Sequence, residues 1–275
     1  MIKRFVIPDS ERCHLNVELK LPEYNGTDDS LIFAALPHPK RSIPGLRFQR
    51  TLTYLKYVPA SFAISDYIGL VNTYDNTLQE AFNTFGIKYQ ILDSADLASE
   101  DLNKFTTIVL DIRAYFFRHD LVRYNDRIFD YIKNGGNVVC FYDRPPEWNG
   151  HNLAPYPINI TGERVTEETQ PVTILSPGNR LFHYPNEITR SDWNGWVQER
   201  NIYLPSDDTT LTSNKYVRLL AMSDEDESEP STSLLWAPYG KGTYIYTSLA
   251  LYRQVKVLND GGVKLLFNLI SQPRQ

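Results

Sequence analysis

Cysteine is scarce in this chain. Only Cys13 and Cys140 occur in 275 residues, far apart and outside any C-x-x-C pair. That excludes a disulfide framework and the usual zinc-finger spacings. Histidine is also sparse. His14, His38, His119, His151 and His183 are scattered singly, and none follows His183. No apolar run approaches the roughly 18 residues of a membrane span. No charge sign dominates either: 28 Lys and Arg oppose 33 Asp and Glu, a net charge of −5. Such a balance sets up no field for nucleic acid or anionic lipid. The opening MIKRFVIPDSER lacks the apolar core of a signal peptide, so the literal reading is a cytoplasmic protein. A fragment of a longer exported chain would read the same way.

What is present is ordinary for a globular protein: 42% apolar and 22% charged residues, with 18 Tyr and 4 Trp. Residues 12–21 (RCHLNVELKL) alternate apolar and polar, as a half-buried strand does. LIFAALP and RFQRTLTYLKYV read as further strands, so residues 1–63 form a β-rich segment packed on the rest. Residues 64–275 form the main domain. There YIGLVN reads as a short buried strand, and KYQILD, TTIVLDI and NVVCFYD as further strands. The helices between them are DNTLQEAFNTFG, SADLASEDL and DLVRYNDRIFDYIKNGG, with Gly86 and Gly135 as stops. Apolar strands alternating with helices predict a mostly parallel sheet covered on both faces. After Asp143 come prolines and more strands (PINIT, VTILS, YVRLLAM, SLLWAPY, TYIYTSLAL), then a helix over 259–270.

Chemistry-bearing motifs are few. Cys140 lies mid-run between Val139 and Phe141. A nucleophile elbow wants small neighbours at a strand end, and a base. Cys140 therefore reads as a buried strand residue. LPHPKR (36–41) has cations where a zinc motif would have aspartates, and GKGT (240–243) is a hairpin turn, not a phosphate loop. SDEDESEP (223–230) lacks the turn glycine and distal glutamate of a calcium loop. No metal and no cofactor is expected. DIRAY (111–115) leaves the carboxyl end of a parallel strand, where open α/β sheets bind ligands. Asp111, Arg113 and Tyr115 there either meet a ligand or tie down the loop. SDWNGWVQERNIYLP (191–205) places Trp193, Trp196, Gln198, Glu199 and Arg200 in a loop with a short strand. Its tryptophans either face a ligand or pack the loop onto the core.

Several stretches together resemble the C-terminal region of large bacterial PIG-L-type (LmbE-like) sugar deacetylases. They are DIRAY, YNDRIFDYIKNGGNVV, LAPYPINIT with RVTEETQPVTIL, NEITRSDWNGWVQERNIYLPS and YGKGTYIYTSLALYRQ, spanning roughly residues 105–272. The resemblance implies a class I glutamine-amidotransferase-like, flavodoxin-like α/β sandwich related to ThuA-like domains. The chain lacks that family's zinc deacetylase domain and the H-x-E that completes an amidotransferase triad. The family's Gly-rich turn is here Asn72-Thr73-Tyr74-Asp75. The expected function is a non-catalytic accessory or binding module beside a PIG-L-type deacetylase, fused or separate, with a carbohydrate as candidate ligand. The alternatives are a hydrolase using carboxylates such as Asp111, Asp143 or Glu199, and a purely structural assembly domain. The expected binding cleft lies beyond the strand ends. It gathers Asp111, Arg113, Tyr115, Tyr142, Asp143, Arg144, Tyr252 and Arg253, with Trp196, Gln198, Glu199 and Arg200 folded over them.

Overall fold

The computed structural model describes residues 33–37, 53–63 and 67–272. The strand expected over 12–21 and the loop residues 38–41 lie outside them. Strands β1 (Phe33–Pro37) and β2 (Thr53–Tyr57) form an antiparallel pair.

The main domain opens with β3 (Ile68–Val71), α1 (Thr77–Phe85), β4 (Tyr89–Ile91), α2 (Ser94–Ser99) and β5 (Thr107–Leu110). Three short helices follow, α3 (Ala114–Phe117), α4 (His119–Arg123) and α5 (Asn125–Lys133), then β6 (Asn137–Phe141) and α6 (Pro145–Trp148). A long irregular stretch carries the small strands β7 (Arg164–Val165), β8 (Thr173–Ile174), β9 (Asn201–Ile202), β10 (Val217–Arg218) and β11 (Leu220–Ala221). The hairpin β12 (Leu234–Tyr239) and β13 (Gly242–Thr247), then α7 (Leu251–Lys256) and α8 (Asp260–Ile270), complete the domain.

The central sheet has seven strands in the order β10-β12-β13-β6-β5-β3-β4. Strands β4, β3, β5, β6 and β13 run parallel; β12 and β10 are antiparallel. The five parallel strands thus follow the order of flavodoxin-like sheets. Both faces are covered, and β6 shows it residue by residue. Val139 and Phe141 join the apolar cluster under α1, α7 and α8. Val138 and Cys140 join the cluster under α2 to α5.

Three local readings are corrected. The helix expected over 120–136 is broken at Tyr124 and preceded by α3, so the chain bends around the sheet end instead of running straight. The prolines after Asp143 start a helix rather than preventing one, because Pro145 and Pro146 occupy the first turn of α6, where no amide donor is needed. The TYIYTSLAL strand stops at Thr247, and Leu251 and Val255, four apart, bury one face of α7.

The chain steps from β3 outward to β4, then crosses back to β5 on the other side of β3. Connections leave β3 and β5 in opposite directions, which opens a crevice beyond their carboxyl ends. Asn72–Asp75 and Asp111–Arg113 stand there.

Candidate functional site

The rim is tied together through the backbone first. The Arg113 amide donates to the Tyr142 carbonyl at 2.8 Å, joining the ends of β5 and β6. Arg113 itself is left-handed, with φ 54°, a conformation most side chains avoid. Its guanidinium donates two bonds to the Glu147 carboxylate, at 2.9 and 2.8 Å. It also lies over the rings of Phe116 and Phe117, at 4.5 and 5.2 Å. The bond to Glu147 raises the Arg113 pKa further. Glu147 Oε1 also accepts the Arg144 amide at 2.9 Å, so one carboxylate fixes both α6 and the β5 end.

Above this frame lies a row of tyrosines. Tyr142 stacks against Tyr203, with centroids 6.0 Å apart and planes at 23°. Tyr252 flanks it at 6.1 Å. Burial first, and then the neighbouring Tyr252 and Tyr74, push the Tyr142 hydroxyl well above its ordinary range. Arginines surround the row. Arg144 and Arg164 lie 5.3 and 5.8 Å from the Tyr203 ring. Arg253 donates to the Tyr252 hydroxyl at 2.9 Å and pairs with Glu199 at 2.7 Å. Glu199 also faces Arg164 at 3.7 Å. Around the Tyr203–Tyr142–Tyr252 row, Glu199 is therefore shared by two arginines, and Arg144, exposed, has no carboxylate partner among the described residues. Tyr203 and Gln198 are, like Arg113, non-glycine residues at positive φ, 56° and 63°. Such strain persists only where the surroundings impose it.

The other residues expected at the cleft go elsewhere. Tyr115 is buried, its hydroxyl bonded to Asn125 Oδ1 at 2.8 Å and the Leu153 carbonyl at 3.1 Å. Asp143 is fully buried, and neither carboxylate oxygen makes a hydrogen bond of normal geometry among the described residues. Burial, and then the charge of Glu147, hold its pKa well above the usual carboxylate value; the nearby Tyr115 amide offsets only part of this. Trp196 is not an exposed platform. Its indole N–H donates to the Asp192 carbonyl at 3.0 Å and its ring packs on Trp193. Arg200 is buried beneath the same loop, donating to the Trp193 and Gln170 carbonyls at 2.7 Å each. Desolvation lowers its pKa to about 10. Trp196 and Arg200 thus pack the 191–205 loop onto the core, while Glu199 alone points its carboxylate to the rim. Gln198 is exposed and makes no bond across the cleft among the described residues.

Asp111 is at the crevice but 1% exposed. The Ile112 amide donates to Oδ1 at 2.8 Å and the Thr73 hydroxyl to Oδ2 at 3.3 Å. Burial outweighs these donors and, with the nearby Asp75 charge, raises its pKa to about 7.

Cys140 is fully buried, and desolvation raises its thiol well above the ordinary value. In native protein, the peptide carrying Cys140 is expected to stay unmodified by iodoacetamide at neutral pH and to label fully after unfolding. Rapid native labelling would contradict this inert role.

Two recesses adjoin these elements. A groove of about 610 Å³ lies at the ends of β3 and β4, between Tyr74, Ile91, Ser94 and Phe117. A cavity of about 440 Å³ lies between the 150–159 loop and Thr210–Leu211. Only the first is at the switch point. Among the described residues, no three His, Cys, Asp or Glu side chains converge as metal ligands. No helix of the described residues is long and apolar enough to cross a membrane.

Several rim residues escape sequence reasoning. Glu147 has a signal in retrospect, since Pro-Pro-Glu is a helix start with an acid in the first turn. Arg164 and Tyr203 have none, because their meeting depends on the fold of the irregular stretch.

No family model matches the chain, and no curated protein does. Among solved structures, it is similar to a cold-adapted β-galactosidase from Rahnella sp. R3, at 16% identity and a TM-score of 0.47. That alignment covers 78% of this chain and 32% of the galactosidase, so the chain spans about a third of it. A cytoplasmic protein from Salmonella typhimurium LT2 aligns over 88% of this chain and 97% of its own, at 12% identity and TM-score 0.46. A GMP-synthase-like protein from Thermoplasma acidophilum aligns over 75% and 92%, at 12% and 0.43.

Proposed function

We propose that this chain is a non-catalytic binding module whose ligand is a sugar bearing a carboxylate, held on the tyrosine–arginine rim. The observation that carries this reading is Arg144. It stands 5.3 Å over the Tyr203 ring, exposed and without a carboxylate of its own among the described residues, beside Arg164 and Arg253, which share Glu199. A guanidinium favours planar anions such as carboxylates, and tyrosine faces accept the apolar C–H face of a pyranose. The sequence resemblance supplies the setting. It implies an amidotransferase-like domain without its triad, serving a PIG-L-type deacetylase in the same or a partner chain.

Calorimetric titration with glucuronate tests the reading. Saturable binding is expected, with glucose binding far more weakly. Arg144→Ala should weaken glucuronate about 10- to 100-fold, the worth of a hydrogen bond to a charged group. Equal affinity for the acid and the neutral sugar, or no effect of the substitution, would remove the rim from this role.

The rival reading is a hydrolase, favoured by one observation: Asp111 titrates near neutrality at a switch point. Against it stands the burial of both Asp111 and Asp143, which leaves a substrate no approach to either carboxyl. Hydrolysis of a glycoside that is lost in Asp111→Asn, with the fold intact, would favour this rival.

A further inference from the structure

We infer that the ligand is an acidic oligosaccharide longer than one ring, its charged unit on the rim and its neighbouring units in the β3–β4 groove. This rests on the rim reading above and adds the ligand's length and the division of labour along it. The groove begins where the rim stops. Tyr74, 60% exposed, forms one wall of the groove and stands within electrostatic reach of Tyr252, Arg113 and Arg144 on the rim. Its ring packs against Phe117 at 4.8 Å. Phe117 and Ile91, both partly exposed, continue the apolar wall. At about 610 Å³ the recess lies within the range of small-ligand sites.

The chemistry of the groove differs from that of the rim. Its one arginine among the described residues, Arg118, is already engaged: it pairs with Asp120 at 2.6 Å and donates to the carbonyls of Leu92 and Asn72 at 2.8 and 3.3 Å. It rigidifies the floor and leaves no cation free for an anion. Asp93 caps α2 through Oδ1 and lines the groove with its carboxylate. Among the described residues, the side chains of Asn72 and Ser94 have no protein partners, which leaves an amide and a hydroxyl ready for neutral hydroxyl groups. Aromatic faces, an amide, a hydroxyl and a carboxylate acceptor suit an uncharged, hydroxyl-rich unit. The free cation, Arg144, lies outside the groove lining and within electrostatic reach of Tyr74. A chain crossing Tyr74 therefore meets a neutral subsite and then an anionic one.

The test is a length ladder. Glucuronate and a glucuronate-terminated tetrasaccharide with neutral remaining units are titrated into the full chain. The tetrasaccharide is expected to bind at least ~10-fold tighter, one factor of ten in Kd. Ser94→Trp, which fills the groove from an exposed helix position, should abolish that gain and leave glucuronate affinity unchanged. Phe117→Ala should reduce the gain without filling the groove, a check that does not depend on a bulky residue being tolerated. Equal affinity of the two sugars for the unaltered chain overturns the inference and spares the rim reading. A gain that survives both substitutions also overturns it. Binding of neither sugar overturns the rim reading, and this inference falls with it.

Discussion

Gly261→Ala is expected to lower the thermal midpoint by roughly 6–12 °C, from a destabilisation of about 3 kcal/mol. Gly261 lies in the first turn of α8, where the 190–196 segment presses directly on the helix. An alanine Cβ there would fall 1.7 Å from the Asp192 carbonyl oxygen and 2.6 Å from its Cα. Backbone, not a flexible side chain, is in the way. The segment is also pinned by the Lys264–Asp192 pair at 2.8 Å and the Asn259 side chain on the Asn194 carbonyl at 3.0 Å. It therefore cannot retreat without losing those bonds. The gain in helix propensity, about 1 kcal/mol, is too small to offset this. Because Trp196 hangs from the same Asp192 carbonyl, the variant should also expose Trp193 and Trp196 to acrylamide quenching. Gly178→Ala, with open space around it, is the control and should leave both readouts unchanged. A Gly261→Ala protein with the midpoint and quenching of the unaltered chain would show that this contact is loose.

The same contact explains why part of the fold is legible in the sequence and part is not. The parallel strands announce themselves, because β3, β5 and β6 are buried on both faces and are apolar except at the starts of β5 and β6, where Asn137 donates to the Thr107 hydroxyl at 3.0 Å. The stop at Gly86 is legible too, since its backbone is left-handed with φ 69°. The order of the strands is not written locally; it follows from which crossovers pack. The 191–205 loop shows the limit most sharply. Trp196 and Arg200 have the composition of a binding surface, yet both are spent on holding the loop down. No local pattern distinguishes a buried arginine bonded to carbonyls from an exposed one awaiting a ligand. Arg144 differs from Arg200 only in the burial that the tertiary structure assigns. For the same reason Asp111 and Arg144 are legible as strand-end residues, while Tyr203 and Arg164, brought to them from far along the chain, are not.

Raising the pH from 5 to 8 is expected to destabilise the folded chain by about 2–3 kcal/mol through Asp111. Its carboxyl has no cation partner among the described residues, and its donors, the Ile112 N–H and the hydroxyl and backbone N–H of Thr73, do not compensate for burial. The native pKa of about 7 stands against an ordinary value of 3.8. Below pH 3.8 both folded and unfolded chains hold the proton, and Asp111 has no effect. Between 3.8 and about 7 the unfolded chain releases the proton and the native one keeps it, so stability falls as pH rises. Above about 7 both are ionised and the loss levels off near ~4 kcal/mol, at about 1.4 kcal/mol per pH unit. Asp143, fully buried, acts in the same direction. His183, exposed and paired with Glu187, adds a slope of the same sign above pH 6.5. The acids whose pKa is lowered, Asp120 and Asp192 among them, lose their stabilisation only as pH falls below the ordinary carboxylate range, outside this window. Asp111→Asn keeps an oxygen for the Ile112 amide and removes the ionisation. Urea unfolding at pH 5 and pH 8 is the measurement. The variant should be more stable than the unaltered chain by roughly 4 kcal/mol at pH 8 and under about 2 kcal/mol at pH 5, with a flatter pH profile. A variant that keeps the full slope, or is weaker at pH 8, would mean that Asp111 is solvated or paired in solution and that the crevice above it is open to water.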